Sequence, residues 1–381
     1  MKVVVYGAGQ LAQMMYLAGA PLGIDVQAVD VSDSSIVNPV DKSSSGVSLR
    51  DAITEAKCLT VEFEHVPVEL LNDAQQSGKL APDMAAIRVG ADRVLEKRLL
   101  EKLHVANCQH QIITHINQLD AAVESLGERL ILKASLDGYD GYGQWRLTDK
   151  NDLPTLKRKL GDLDLAAVPL VVEQMLNFDR ELSVIGARAP DGKTVVYPLA
   201  ENLHHNGQLH VSIAPATQLT SELNQQAKQI FDTIAQALNY VGVLAVEMFQ
   251  IGNKLLVNEI APRVHNSGHW SIQGAKTSQF ENHLRAVTDL PLGATDAVGV
   301  SAMVNIIGCG SIAKDLLSVA GTYLQWYGKS VRPKRKMGHI NVNAQTYSEL
   351  AERLALLKPH LPIEHFPKLI EEIARLNSLD E

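Results

Sequence analysis

The apolar positions of this chain fall into short runs divided by polar turns, and their period changes twice along its length. Val3–Tyr6 is an apolar run leading into Gly-Ala-Gly, which predicts a buried strand entering a tight turn. Gln10–Ala20 then carries a helical period, Val26–Val31 is again strand-like, and Leu59–Phe63 is a later strand closed by Glu64-His65-Val66-Pro67. Strands alternating with helices in this order predict α/β structure on a parallel sheet. Ser32–Ser48, rich in serine and aspartate, reads as a mobile surface loop, and Asp92–Leu103 as a charged linking helix.

From Leu130 the elements shorten. Ile131–Ala134, Gln144–Leu147, Leu170–Gln174 and Glu181–Ala187 read as strands around glycine-rich turns, with Leu153–Leu160 helical, the pattern of a small α+β lid. Ser221–Leu238 is an amphipathic helix, Val243–Gln250 and Lys254–Ile260 are two strands, and Phe280–Val287 is another helix. Short strands near Ala302–Ile307, Tyr323–Trp326 and Gly338–Val342 precede helix-forming sequence from Tyr347 onward. At 381 residues the chain exceeds the ~250–300 residues at which one core stops growing, so two or three domains are expected.

Composition narrows the function. Lys plus Arg total 35 against 43 Asp plus Glu, a net charge of −8, and aromatics make up 5%, which argues against a nucleic-acid partner. No apolar run reaches the ~18 residues of a membrane span, and the opening Met-Lys-Val-Val-Val-Tyr-Gly is a strand rather than a signal peptide. Cys58, Cys108 and Cys309 are odd in number with no Cys-x-x-Cys, which speaks against a disulfide framework or zinc site and for a reducing compartment. A cytoplasmic location is expected.

Several clusters then carry chemistry. Gly7-Ala8-Gly9-Gln10-Leu11-Ala12, with Asp30 ending the next strand, has the glycine spacing of a dinucleotide turn, but any phosphate can use the amides of a helix N-terminus. Lys133 lies on an apolar strand, where an ammonium needs an anion, and Gly138-Tyr139-Asp140-Gly141-Tyr142-Gly143 follows as a loop that can approach phosphates. The Gly-Lys-Ser/Thr of a P-loop is missing. Glu173-Gln174-Met175 ends a strand and Glu181 opens the next, an arrangement able to meet adenine and ribose. Glu247 and Glu259 flank a turn at Gly252-Asn253-Lys254. A three-residue loop would set Glu247 opposite Glu259, a two-residue loop opposite Asn258. Like charges facing each other on apolar strands are costly unless a hard cation lies between them. Arg263, His265, Asn266, Ser267 and His269 follow closely and could cradle a planar oxyanion; metal ligation by the two histidines is the alternative. Lys329, Arg332, Lys334, Arg335 and Lys336 place five bases in eight residues, suited to a monophosphate.

The order of these blocks resembles the ATP-grasp superfamily. Gly-x-Gly-Gln-Leu, Glu62-Phe-Glu64-His-Val, Gly138-Tyr-Asp-Gly-x-Gly-Gln144, Ala261-Pro-Arg-Val-His-Asn-Ser-Gly-His-Trp270 and the block ending Arg335-Lys-Met-Gly-His339 narrow it to the 5-(carboxyamino)imidazole ribonucleotide synthases of purine biosynthesis. The resemblance implies an ATP-grasp fold, α/β and α+β. Its parts would be an N-terminal Rossmann-like (pre-ATP-grasp) parallel-sheet domain over 1–95, an ATP-grasp domain over 96–295 with a lid at about 130–190, and a small C-terminal domain over 296–381. It further implies ATP and Mg2+, bicarbonate and 5-aminoimidazole ribonucleotide as substrates, carboxyphosphate as the activated acid, and a homodimer.

Residue by residue, the resemblance assigns ATP to Arg93, Lys133, Gly138, Tyr139, Asp140, Gly141, Gly143, Glu173, Gln174, Met175, Leu176, Glu181, His204, Asn258 and Glu259. Metal falls to Glu247 and Glu259 with Asn258, and chemistry to Arg263, His265, Asn266 and Ser267. The ribonucleotide falls to Gly9, Gln10, Leu11, Glu64 (or Glu62), Tyr139, Asp140, Lys329, Arg335 and Lys336. Tyr142 stands where the family often has arginine and supplies no permanent charge, so Lys336 or Arg332 would have to compensate. The rival expectations are a formate- or amino-acid-using ligase, a nucleotide-binding regulatory module and an NAD(P)-dependent dehydrogenase.

Overall fold

A computed structural model describes residues 1–136, 138 and 143–379. Its N-terminal sheet holds β1 (Lys2–Tyr6), β2 (Asp25–Asp30), β3 (Ser35–Val37) and β4 (Cys58–Val61) in the order β3-β2-β1-β4. β1 runs parallel to both β2 and β4, and Val3, Val4, Val5 and Tyr6 are all buried, which is why that run is apolar without alternation. Ser32–Ser48 is largely exposed, as expected of a surface loop, but it is not without structure. Part of it is β3, antiparallel to β2, and the rest is pinned by short polar side chains. Asp30, Asp33, Asn38 and Asp41 each accept the amide of the residue two positions on, at 3.0, 2.9, 2.8 and 2.8 Å. The aspartates that suggested mobility are turn-formers.

The second sheet comprises β5 (His110–Ile113), β6 (Leu130–Ala134), β7 (Gln144–Leu147) and β8 (Leu170–Gln174), antiparallel in the order β5-β8-β6-β7. Leu130, Leu132, Leu147 and Val172 pack on Leu119 and Val123 of the helix Gln118–Leu126 and on Leu156 and Leu160 of the helix Leu153–Leu160. Alternation turns Ile131, Lys133, Gln144 and Arg146 the other way, toward a cavity.

The third sheet has nine strands among the described residues: β9 (Arg180–Arg188), β10 (Thr194–Val196), β11 (Ala200–His205), β12 (Gln208–Ala214), β13 (Gly242–Ile251), β14 (Lys254–Ala261), β15 (Val300–Ile307), β16 (Thr322–Trp326) and β17 (Lys336–Ala344). The order is β14-β13-β9-β11-β12-β15-β17-β16, with β10 beside β9. Leu182, Val184, Leu244 and Val246 face the helix Ser221–Ala237 and contact its Ile230, Phe231 and Ile234 side chains. Glu181, Ser183 and Glu247 alternate with them onto the opposite face.

That helix presses directly on β9. A Cβ at Gly186 would lie 2.5 Å from Phe231 Cζ and 2.8 Å from the Val195 carbonyl oxygen. We expect Gly186→Ala to lose about 1–3 kcal/mol in denaturant unfolding through overpacking, and an unchanged midpoint would disprove the close approach.

Candidate active site

The hairpin β13–β14 turns at Gly252-Asn253, with Ile251 paired to Lys254 and Gly252 at φ 56°. That is the two-residue loop, yet Glu247 still faces Glu259 rather than Asn258. The register shifts beside Glu247, so Met248 pairs with Val257 and Asn258 is the extra residue of a bulge. Ser183 of β9 pairs with Glu247 from the other side, so Ser183, Glu247 and Glu259 form one row across three strands. Burial, and then the Glu259 charge, push the Glu247 carboxyl well above the usual carboxylate range. Glu259 moves the other way: enclosure opposes its ionisation, but Arg93 and then Lys133 outweigh that and hold its pKa below the ordinary value.

The cations come from two elements. Asp92 caps the helix Arg93–Lys102 by accepting the Val94 amide at 2.8 Å, and Arg93 beside it reaches Glu259 Oε2 at 3.4 and 3.5 Å. One turn on, Lys97 lies 2.5 Å from Glu173 Oε1, while Lys133 of β6 lies 2.6 Å from Glu173 Oε2 and 3.1 Å from Asn258 Oδ1. The anion that the buried Lys133 required is thus Glu173, which is 2% exposed and lies behind the cavity wall. Burial alone would raise its pKa, yet Lys133 and Lys97 bring it down to about 2. Glu96 reaches the cavity; one carboxyl oxygen accepts the Ile260 amide at 2.7 Å, and burial pushes its pKa up to about 7. The Gln174 and Met175 amides are already bonded to the Gln109 and Arg129 carbonyls at 3.0 and 2.9 Å, and Leu176 follows outside β8. Glu181 Oε2 lies 3.0 Å from His204 Nδ1. Burial works against charge on His204, but Glu181 and Glu247 prevail and raise its pKa to about 8.

After β14 the chain makes a single 3-10 turn, Asn266–Gly268, instead of a helix. Arg263 Nε lies 2.8 Å from Glu64 Oε1, and His265 Nε2 lies 3.7 Å from Glu247 Oε1. Asn266 exchanges side-chain hydrogen bonds with Asn305 of β15 at 3.1 and 2.7 Å. His269 is 1% exposed, receives Gln279 Nε2 at 3.0 Å and packs on Phe280 and His339. It does not join His265 as a ligand, and no group of three or more metal-binding side chains occurs among the described residues.

At the N-terminal end, the amides of the Gly9-Gln10-Leu11 turn meet a carboxylate rather than lying open. Gly9 and Ala12 donate to Glu62 at 2.5 and 3.0 Å, at the start of the helix Gln10–Gly19. Lys329 donates to Gln10 Oε1 and lies over the Tyr327 ring at 5.5 Å; burial and Arg335 push its pKa down to about 8. Arg335 is tied to Ser330 at 2.7 and 3.1 Å.

All three sheets meet at one cavity of about 680 Å³. Of the residues singled out from the sequence, Gln10, Leu11, Glu62, Glu64, Arg93, Lys133, Gly138, Glu181, His204, Glu247, Asn258, Glu259, Arg263, His265, Asn266, His269 and Lys336 line it. Gly9, Gly143, Glu173, Gln174, Met175, Leu176, Ser267, Lys329 and Arg335 lie outside its wall, and Tyr139, Asp140, Gly141 and Tyr142 lie outside the described residues. Sequence reasoning missed Glu96, Lys97, Arg146 and Asn305. Glu96 and Lys97 follow Arg93 by one helical turn, and Arg146 follows Gln144 by one strand period, so both periodicities held a usable signal.

These features define the chain as an ATP-grasp protein. The ATP-grasp domain family matches residues 98–280, the Ribonucleotide synthetase preATP-grasp domain matches 1–91, and the Phosphoribosylaminoimidazole carboxylase C-terminal domain matches 301–353. The chain is 47% identical over 374 residues to the N5-carboxyaminoimidazole ribonucleotide synthase of Vibrio parahaemolyticus, covering 97% of this chain and 98% of the relative. It is 38% identical over 364 residues to the enzyme of that name from Escherichia coli, covering 96% of each. The solved synthetase of that name from Thermus thermophilus superposes with TM-score 0.84 at 37% identity, over 94% of this chain and 98% of the other. The Aspergillus clavatus synthase, solved with ADP and 5-aminoimidazole ribonucleotide, gives 0.82 at 29% identity over 98% of each. The chain belongs to the N5-carboxyaminoimidazole ribonucleotide synthase family, ATP-dependent ligases of purine biosynthesis.

The Glu173 pair yields a measurable pH dependence. Its pKa falls from an ordinary 4.5 to about 2 on folding, so its stabilisation is whole above 4.5 and is lost as pH falls through 2. Glu173→Gln strands two buried ammoniums and should cost about 3–5 kcal/mol at neutral pH in denaturant unfolding. The deficit should shrink toward pH 2; a gap of constant size would rule out the ion pair as its source.

Proposed function

We propose that the chain uses ATP and bicarbonate to carboxylate the exocyclic amine of 5-aminoimidazole ribonucleotide, giving the N5-carboxylated ribonucleotide, ADP and phosphate. The observation that carries this is the facing pair Glu247 and Glu259, set in a cavity that also holds Lys133, Arg263 and His265. Two carboxylates held so close fit a hard divalent cation, and the few protein oxygens they offer suit Mg2+, which takes its remaining ligands from phosphate and water. When bound there, Mg2+ offsets charge on the transferred phosphoryl group.

The chain's own groups then divide the work. Arg93 and Lys133 face the phosphates, while Glu181 and His204 approach the nucleoside. A bicarbonate oxygen attacks the terminal phosphorus; the new O–P bond forms as the bond to the bridging oxygen breaks, and ADP leaves. Arg263, His265 and Asn266 meet the resulting carboxyphosphate with hydrogen-bond donors aimed at oxyanions. The amine nitrogen bonds to the carboxyl carbon, phosphate departs and the amine gives up a proton. Gln10, Lys329 and Lys336 converge at the ribonucleotide end, with Glu64 holding Arg263 in place. A homodimer follows from the resemblance alone. Three buried free cysteines, and the absence of any helix long and apolar enough to cross a membrane among the described residues, fit a cytoplasmic enzyme.

ADP release should depend on bicarbonate and rise on adding 5-aminoimidazole ribonucleotide. Stimulation by formate or glycine instead would overturn the acceptor assignment. Glu247→Gln and Glu259→Gln should each abolish turnover with the fold retained by circular dichroism; near-normal rates in both would refute the metal-linked site.

A further inference from the structure

Asn305 is a fully buried amide with no part in the scheme above. It lies on β15, opposite His339 of β17. Its side chain reaches two neighbours. Nδ2 donates to the Leu209 carbonyl oxygen at 2.8 Å and to Asn266 Oδ1 at 2.7 Å, while Oδ1 accepts from Asn266 Nδ2 at 3.1 Å. Leu209 belongs to β12 and Asn266 to the turn after β14, so this one amide joins the sheet to the cavity wall.

The oxygen and nitrogen of a carboxamide are alike in shape, so their partners must tell them apart. The Leu209 carbonyl does so here. It can only accept, and therefore requires Nδ2 of Asn305. Asn305 Oδ1 then faces Asn266, where only an N–H can meet it. Turning Asn266 over would set oxygen against oxygen and N–H against N–H. Turning both amides would put Asn305 Oδ1 against the Leu209 carbonyl. Both Nδ2 hydrogens of Asn305 are spent, and so is one of Asn266. The donor left over is the second Asn266 N–H, on a residue that lines the cavity.

No other contact takes over this task. Among the described residues the Asn266 side chain bonds to Asn305 alone. Its backbone is held independently, because Asn266 O accepts His269 N–H at 3.1 Å and Gln279 Oε1 accepts His265 N–H at 2.9 Å. Removing the Asn305 amide thus leaves the turn in place and frees the Asn266 side chain to turn over.

We propose that Asn305 is a positioning residue: pinned by the Leu209 carbonyl, it stops the Asn266 amide from turning over, so that Asn266 meets the bound small acid with an N–H. This rests on the functional reading above for what the acid is. A turned-over amide would offer a carbonyl oxygen, which repels an oxyanion where the N–H attracts it.

The test uses the full-length chain in two measurements. In the ligand-free, 15N-asparagine-labelled protein, the Asn266 side-chain signals are assigned by their loss in Asn266→Ala. Their hydrogen exchange should be slow in the wild type and at least about tenfold faster in Asn305→Ala, the worth of one buried hydrogen bond. In bicarbonate-dependent ADP release, Asn305→Ala should lower kcat about tenfold and leave the KM for ATP unchanged. Asn266→Ala should lose about a hundredfold, as for an oxyanion donor, and adding Asn305→Ala to it should cost nothing more. Asn305→Leu, which keeps the volume, should match Asn305→Ala, and thermal unfolding of each variant controls for loss of fold. If Asn305 only braced the seam between β12 and β15, its tenfold loss would recur in the Asn266→Ala background, and that overturns the proposal. So does unchanged turnover in Asn305→Ala, or Asn266 exchange that ignores the substitution. Because exchange is read without substrate, its expected acceleration in a chain indifferent to bicarbonate would uphold the amide lock and remove only the assigned acid.

Discussion

Two carboxylates facing each other across a hairpin set the terms for the rest of this molecule. The bulge at Asn258 brings Glu247 and Glu259 onto the same rung, although the tight turn by itself would have offset them. Burial and then the Glu259 charge make Glu247 resist ionisation, while Arg93 and Lys133 keep Glu259 charged against its own burial. A hairpin that served only as structure would bear this penalty for nothing.

The surrounding charges differ in how firmly they are committed. Lys133 and Lys97 grip Glu173 at 2.6 and 2.5 Å behind the wall, where breaking the contact would leave buried charge, so an incoming polyanion does not take them from it. Arg93 holds Glu259 at only 3.4 Å, and the side chain of Glu259 opens onto the cavity. Such a long, partly wet contact is worth little and is easily exchanged for phosphate or metal. The first arrangement keeps Lys133 in position; the second leaves Arg93 free to respond.

Much of this was legible in the chain. Gln144–Leu147, Leu153–Leu160 and Leu170–Gln174 have the limits expected from the sequence. The helix Gln118–Leu126 and strands β5 and β12 escaped notice. His110–Ile113 is half polar; β12, Gln-Leu-His-Val-Ser-Ile-Ala, does carry a strand's alternation and was readable, although both of its faces are buried. The site was legible as a set of residues and less so as a geometry. The facing of Glu247 and Glu259 came from a bulge, which has no reliable sequence mark, and the N-terminal turn read as an anion site already holds Glu62. Glu173, expected at the nucleotide, lies behind the cavity wall as the partner of two lysines.

The seam between β12 and β15 carries a consequence of its own. Val211 to Ala214 pair with Val304 to Ser301, so strands from the last third of the chain continue the sheet that carries the two glutamates. Tyr327 and Lys336 therefore reach the cavity from a wall fused to its floor, while the sheet bearing Lys133 is hydrogen-bonded separately. Excising the chain after 295 would unzip an interior ladder and leave β12 as a bare, apolar edge, the kind of surface that recruits stray strands. The C-terminal portion is thus a wing of the same sheet, and it cannot be cut away without baring that ladder.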